Sequence, residues 1–367
     1  MKLLLCGNFP PAAGGSQTWS YEVARHLEKL GHDVTFLART APGWKEFDAG
    51  CPFPVERAAW KIGLYRKFRK FVRRGGAECV LVTHRADFAE SARLMAKPGG
   101  VPYVVVAHGG EILKARRKPS VQRNLPPAAR IIAVSNFTRG LLVDLGIESR
   151  KIVVIPNGTD TERFHPGADG SGVRKRYAPG GQKIVFTVSR LVKRKGHANL
   201  MRALSGLGSE YNVEYVIGGT GEEEKNLRAL AKGLGIAKNV HFTGRIEDDE
   251  LPKYYAACDV FAMPNRYVEG EMNVEGFGIV FLEANAAGKP VIGGDSGGTA
   301  DAVVDGETGF LVDPDDVSDI ASALEKLLSN EEMARRMGEA GRLRVERRFT
   351  WRHTASQVAG VLEEVTG

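Results

Sequence analysis

Two glutamates, Glu275 and Glu283, frame the stretch NVEGFGIVFLEANAAGKPVIGGDSGG, Asn273–Gly298, with seven mostly small or apolar residues between them. A carboxylate can accept a pair of hydrogen bonds from a vicinal diol, such as that of a ribose or a sugar ring. Between the two acids, Gly276, Phe277, Gly278, Ile279 and Val280 form a glycine-rich turn running into a helical pattern. Backbone N–H groups at such a helix start can hold a phosphate. One acid per diol, with an anion-binding turn between them, is an arrangement suited to a sugar nucleotide. A surface helix with two solvated glutamates is the plainer reading. The apolar filling and the strand that follows argue against it.

Three more groups could join this chemistry. Arg190 and Lys195 lie in SRLVKRKG, just after an expected strand. Two cations there suit a diphosphate, Arg as a bidentate fork and Lys as a point charge. A solvated basic loop is the competing reading, and Lys193 and Arg194 are assigned to it. Gly14, Gly15 and Ser16 open a helix after the first strand, which makes an anion site or a plain serine-capped turn. His108, in AHGGE, follows another strand end, where it could face a ligand or bond to backbone.

These positions depend on the elements around them. Apolar runs of strand length recur at Lys2–Cys6, Val34–Ala38, Cys79–Thr83, Tyr103–Ala107, Arg130–Val134 and Lys151–Ile155. Their uniformly apolar character predicts a parallel sheet buried on both faces. Helical spacing covers Ser16–Leu30, Ala58–Arg74, Asp87–Ala96 and Asn136–Leu145. Pro166–Gln182, rich in glycine, proline and charge, reads as a linker with a short basic helix. The alternation restarts with strands at Lys183–Ser189, Val213–Ile217, Asn239–Phe242, Asp259–Met263, Pro290–Gly293 and Gly309–Val312. The expected fold class is therefore α/β, with two Rossmann-like parallel-sheet domains facing a cleft. Ligands in such sheets bind beyond the carboxyl ends of the strands.

Composition narrows the classes. The chain has 367 residues, 43% hydrophobic and 26% charged, as in a soluble globular protein of two domains. No apolar run approaches the roughly 18 residues a membrane span needs. Four scattered cysteines without a Cys-x-x-Cys pair argue against a zinc site or a disulfide framework and for a cytoplasmic setting. A net charge of +7 favours anionic partners.

Taken together, Gly14–Gly15, His108, Arg190 with Lys195, Glu275-x7-Glu283, IPNGTD (Ile155–Asp160) and GDSGGTADAV (Gly294–Val303) resemble the retaining glycosyltransferases of family 4, which have the GT-B fold. The resemblance spans essentially the whole chain. It implies an N-terminal acceptor domain over residues 1–165, a donor domain over residues 166–350, and a last helix, residues 351–367, returning to the first domain. It implies that Gly15 approaches the donor diphosphate, that Arg190 and Lys195 neutralise the leaving group, and that Glu283 binds the ribose. Glu275 would bind the transferred sugar, with His108 beside its ring, and Gly244, Arg245 and Ile246 would border the base. Within the family, the glutamate run is most similar to bacterial phosphatidylinositol-mannoside mannosyltransferases, which use GDP-mannose. Ser16 departs from the pattern, since an apolar residue often follows the glycine pair. UDP-sugar transferases share the machinery. A sugar-nucleotide epimerase or a non-catalytic nucleotide-sugar binder would also use the two-domain cleft, but neither accounts for the complete donor set.

Arg57–Arg74 carries eight Lys/Arg and no acid, with Trp60, Leu64, Phe68 and Phe71 at helical spacing. It reads either as a helix lying on an anionic membrane, with Arg116–Lys118 extending the patch, or as a packed helix with a solvated basic face. A nucleic-acid role lacks a recognised module. GGTGEEE, Gly218–Glu224, fails the dinucleotide fingerprint because Glu224 stands where its third glycine belongs. Asp313-Pro314-Asp315 has metal-binding spacing but reads as the cap of a helix beginning near Asp316. The expectation is a metal-independent transferase without cofactor, its nucleotide-sugar a substrate. It would be cytoplasmic or peripheral at the inner face of the plasma membrane, with a lipid or glycan acceptor.

Overall fold

The computed structural model describes residues 1–12, 14–59, 61–83, 100–115, 125–268, 270–271 and 273–367. The expected helix Asp87–Ala96, Trp60 and Arg116–Lys118 lie outside the described residues. The chain divides into two compact units, Met1–Gly158 with Trp351–Gly367, and Thr159–Thr350.

The first unit is built on seven parallel strands: β1 (Lys2–Gly7), β2 (Asp33–Arg39), β3 (Val55–Ala58), β4 (Cys79–Val82), β5 (Tyr103–Ala107), β6 (Arg130–Ala133) and β7 (Ile152–Val154). Their order is β3-β2-β1-β4-β5-β6-β7. Residues of β1, β4 and β5 are buried almost without exception, which is why these runs show no polar alternation. The order reverses between β1 and β4, so the loops after those strands flank the point where such sheets bind ligands. The last helix, Trp351–Thr366, packs in this unit against the helix Gly15–Lys29. Arg130 pairs there with Glu364.

The second unit repeats the plan with β8 (Lys183–Val188), β9 (Val213–Gly218), β10 (Val240–Gly244), β11 (Val260–Met263), β12 (Val291–Gly294) and β13 (Gly309–Val312), in the order β10-β9-β8-β11-β12-β13. Its reversal lies between β8 and β11. Arg190–Lys195 follow β8, and Asn265 to Glu275 follow β11, at that same point.

Two expectations are corrected. Pro166–Gln182 is not a linker. The units meet in sequence at Gly158–Thr159, and the segment beyond is packed in the second unit. Phe164 is buried against the Tyr255 ring, with centroids 5.4 Å apart. The Arg342 guanidinium donates to the carbonyls of Thr161, Phe164 and Ala286 at 3.0, 2.8 and 2.7 Å. The helix Ser171–Tyr177 packs on the helix Leu251–Ala257. Within Pro166–Gln182 itself, Val173 and Tyr177 are buried and Arg174 Nη2 donates to Asp259 Oδ1 at 2.8 Å.

The second correction concerns Arg57–Arg74. Its first residues form β3, paired with β2 from Phe36↔Val55 to Arg39↔Ala58, and the helix spans Lys61–Arg73. The Arg57 side chain is 1% exposed. It donates to Asp48 Oδ1 at 2.7 Å and to the carbonyls of Arg39 and Pro10 at 2.7 and 2.5 Å. It is thus a structural cation with no surface role. Along the helix, Leu64, Phe68 and Val72 are buried in the first unit's core, while Arg66, Lys67, Arg69, Lys70 and Arg73 are exposed. Leu64, Phe68 and Val72 of the apolar stripe are thus packed into the fold itself, as the second reading had it. Phe68→Ala should therefore cost about 3–5 kcal/mol in urea unfolding, as for other buried aromatics. Ile62→Ser, at a site 68% exposed, should change it by less than about 0.5 kcal/mol.

Candidate functional site

The chain leaves β8 through Ser189–Leu191 and turns in a short 3-10 segment, Lys193–Lys195. Gly196 then sits at φ 77°, and a Cβ there would collide with the Pro264 carbonyl. Only glycine lets this loop lie against the residues that follow β11. The approach brings Lys195 Nζ to 2.5 Å from Glu275 Oε2 and 3.5 Å from Met263 Sδ. Arg194 Nη1 reaches the same Glu275 oxygen at 3.1 Å. Both cations are buried, at 8% exposure for Arg194 and 9% for Lys195. Reading Arg194 as a solvated loop cation is thereby corrected. The run of four cations hid which side chains the turn folds inward.

Glu275 is held in turn by the glycine-rich turn after β12. Gly298 N donates to the Glu275 carbonyl at 2.9 Å. Gly297, at φ 68°, leaves no room for a side chain against that carbonyl. Asn265 and Thr299, both fully buried, fix the turn: Asn265 Nδ2 donates to Thr299 Oγ1 at 2.9 Å and to the Ser296 carbonyl at 3.2 Å. These two were not singled out from sequence, although Thr299 lies in the GDSGGTADAV run.

Burial alone would push the Glu275 carboxyl up, but the Lys195 ammonium and the Arg194 guanidinium outweigh it and hold it at about 2. Lys195 is pushed below its ordinary value, first by burial and then by the two arginines, with Glu275 opposing. Two buried cations thus face one carboxylate, and the exposed Arg190 adds charge beside them. A surplus buried cation is costly unless something anionic completes it.

Beneath the loop runs a polar chain. Thr187 Oγ1 donates to the Ala262 carbonyl, so it must accept from Tyr215 Oη at 3.0 Å. Tyr215 in turn accepts from His197 Nδ1 at 2.9 Å, which leaves Nε2 to accept from Ser189 Oγ, also at 2.9 Å. Burial, reinforced by Lys195, pushes the His197 imidazole down to about 3, so it is neutral beside the cations. The GGTG turn buttresses the same loop, with Leu191 N donating to the Thr220 carbonyl at 2.9 Å.

Glu283 lies on the helix Ile279–Ala286, entered through Gly278. Tyr255 Oη donates to Glu283 Oε2 at 2.7 Å. Burial pushes this carboxyl up, opposed by the Tyr255 hydrogen bond and the Arg163 charge and assisted by Asp248. Gly276, Phe277 and Gly278 are buried, and Ile279 and Val280 form the first turn of the helix, where backbone N–H groups lack intrahelical partners. Gly244 closes β10, with Arg245 exposed and Ile246 half-buried beyond it. Asp313 is not free for a cation. It accepts from Asp315 N at 2.9 Å, Asp315 pairs with Arg266 at 2.7 Å, and Asp316 caps the helix Val317–Ser329.

In the first unit, Gly15 begins the helix Gly15–Lys29, and Gln17 N and Thr18 N both donate to the Gly14 carbonyl at 3.0 Å. Ser16 Oγ donates to Gln17 Oε1 at 2.9 Å rather than capping the helix. His108 follows β5. Its Nε2 donates to the Thr83 carbonyl at 2.8 Å, and its ring meets the edge of Trp19 with centroids 5.8 Å apart. The backbone bond expected of a structural histidine is present, and it fixes the proton on Nε2.

Two family descriptions cover most of the chain: Glycosyltransferase Family 4 over residues 13–163 and Glycosyl transferases group 1 over residues 173–344. The GDP-mannose-dependent alpha-(1-6)-phosphatidylinositol monomannoside mannosyltransferase of Mycobacterium tuberculosis is 35% identical, over 98% of this chain and 97% of that protein. The chain belongs to glycosyltransferase family 4. A monoacylated-acceptor mannosyltransferase of Corynebacterium glutamicum, also GDP-mannose-dependent, is 37% identical over 98% of this chain and 97% of its own length. Among solved structures, Anabaena Alr3699/HepE in complex with UDP and glucose superposes with a TM-score of 0.83 at 22% identity, covering 99% of each chain. That likeness establishes the fold of this glycosyltransferase.

The buried imidazole has a measurable consequence. The folded state keeps His197 neutral down to about pH 3, whereas the unfolded chain protonates it near its ordinary 6.5. The unfolded state therefore binds more protons in between, and stability falls as pH drops below 6.5. Between pH 7 and pH 5 the wild type should lose on the order of 1–2 kcal/mol more than His197→Gln, read from urea midpoints at the two pH values.

Proposed function

We propose that this glycosyltransferase is a metal-independent, retaining mannosyltransferase that moves mannose from GDP-mannose to a lipid-linked phosphatidylinositol-mannoside acceptor. The observation that carries the chemistry is the buried Arg194–Lys195–Glu275 cluster, whose surplus positive charge matches a departing diphosphate. The choice of donor and acceptor is supported by the relatives named above, which are GDP-mannose-dependent and act on phosphatidylinositol monomannoside.

In this reading Arg190 and Lys195 receive the charge that grows on the leaving phosphate as the C1–O bond breaks and GDP departs with the electron pair. The acceptor oxygen bonds to C1 from the same face, and its proton passes to the leaving phosphate oxygen. Glu275, held ionised, accepts from mannose hydroxyls through the oxygen its cations leave open. Glu283 takes the ribose hydroxyls, and Gly244, Arg245 and Ile246 border the base. Gly276 to Val280 offer N–H groups to phosphate oxygens. The family resemblance assigns Gly14, Gly15 and Ser16 to the diphosphate and His108 to the sugar. No divalent cation is required, because protein cations supply the charge that metal supplies elsewhere.

The acceptor would reside in a membrane. Among the described residues no helix is long and apolar enough to cross one. The exposed basic face of the helix Lys61–Arg73 offers a purely electrostatic contact to anionic lipid, worth roughly 1 kcal/mol per residue near the surface.

Turnover should be assayed with GDP-mannose and phosphatidylinositol monomannoside in chelator. Activity should persist there, with retained anomeric configuration by NMR. Arg190→Ala or Lys195→Ala should each lower kcat by about 10²–10³-fold. Selective use of a UDP-sugar would discard the mannosyl reading, and dependence on added divalent metal would discard the charge-neutralising role of the cluster.

A further inference from the structure

Glu283, in the middle of the helix Ile279–Ala286, does not stand alone. Tyr255, on the helix Leu251–Ala257, is fully buried and closes on Glu283 Oε2 at 2.7 Å. Its ring is fixed on three sides, by Phe164, Phe186 and Phe261, with centroids 5.4, 5.3 and 5.5 Å away. A phenol so confined has little freedom to turn its oxygen elsewhere. The helix that carries it follows directly on the segment from Gly244 to Glu250, which begins with the three residues assigned above to the base, Gly244, Arg245 and Ile246. Arg163 ties that segment down by donating to the Asp248 carbonyl, while its guanidinium lies 4.7 Å over the Phe164 ring.

We propose that Tyr255 is the positioning residue for the Glu283 carboxylate, holding Oε2 so that Oε1 is aimed at the ribose diol of the donor. This rests on the donor-site reading given above. A carboxylate on a free side chain can rotate and meet a diol in several ways. With one oxygen tethered to a rigid phenol, the rotation is fixed before ligand arrives, and less freedom is lost on binding. The tether also links two recognition elements. The base-bordering segment and the ribose carboxylate are joined through one buried side chain, so a shift in one is felt by the other. Tyr255 would touch no ligand atom itself.

The test is binding of GDP and of 2′,3′-dideoxy-GDP to the full chain by calorimetry, wild type against Tyr255→Phe. Phe keeps the ring packing and removes only the hydroxyl, and thermal unfolding of the variant checks that the fold is intact. The wild type should bind GDP more tightly than the dideoxy compound. Tyr255→Phe should weaken GDP about tenfold, in the range for a hydrogen bond to a charged group, and the dideoxy compound less than about twofold. Equal losses on both ligands, or no loss on either, would overturn the positioning role. Equal wild-type affinity for the two would overturn the ribose assignment of Glu283 instead. If GDP fails to bind while UDP binds, the guanine reading falls, and UDP with its dideoxy analogue decides the Tyr255 claim by the same criteria.

Discussion

A carboxylate gripped by two buried cations is the interaction to which the rest of the second domain is fitted. Burial disfavours the charge on both Lys195 and Glu275, and each favours the charged form of the other, with the Arg194 guanidinium adding its own attraction to Glu275. The cluster forms only where two strand ends come close, which requires a glycine at 196 and another at 297. The pattern of small residues around the site is therefore a steric condition for an electrostatic one. A buried ion pair is weak evidence for stability, because the cost of desolvating its charges offsets much of their attraction.

The polar groups beneath it do a different task. Thr187, Tyr215, His197 and Ser189 form one directed chain, and Asn265, Thr299 and Ser296 form another. Each is saturated within itself, so the loops above it have little reason to rearrange. Both begin at the point of strand-order reversal, which in this sheet falls between β8 and β11. The topology brings the loops together, and the hydrogen-bonded chains fix how far they approach.

Much of the architecture was legible because strands buried on both faces leave unbroken apolar runs. Among the described residues, twelve of the thirteen strands could be placed from such runs within a residue or two at each end; β3 alone was missed, because Glu56 and Arg57 disguise a strand at the sheet edge. The segment Pro166–Gln182 misled for the opposite reason. Its glycines, prolines and charges mask Val173 and Tyr177, which are buried, and Arg174, which pairs with Asp259, and composition does not register such partners. Around the candidate site, residue type and spacing singled out Lys195, Glu275 and Glu283, and the structure pairs Lys195 with Glu275 and places Glu283 within the helix Ile279–Ala286. Arg194 was hidden because the short turn exposes Lys193 but buries the two consecutive cations that follow it, and a run of like charges does not show which side chains turn inward. Tyr255 and His197 could not be found from pattern at all. Their importance comes from partners 28 and 18 residues away that only the packed fold supplies.

The first domain is assembled from two stretches of sequence separated by the whole of the second. Its last helix, Trp351–Thr366, lies on the helix Gly15–Lys29, and Thr354 closes on the Pro156 carbonyl at 3.0 Å. On a ribosome, residues 1–158 emerge long before the helix that covers them. The surface of Gly15–Lys29 then waits through the synthesis of nearly two hundred residues, while the second domain, continuous in sequence, can complete itself first. The contacts between Trp351–Thr366 and Gly15–Lys29 can thus form only after the whole of the second domain has been translated.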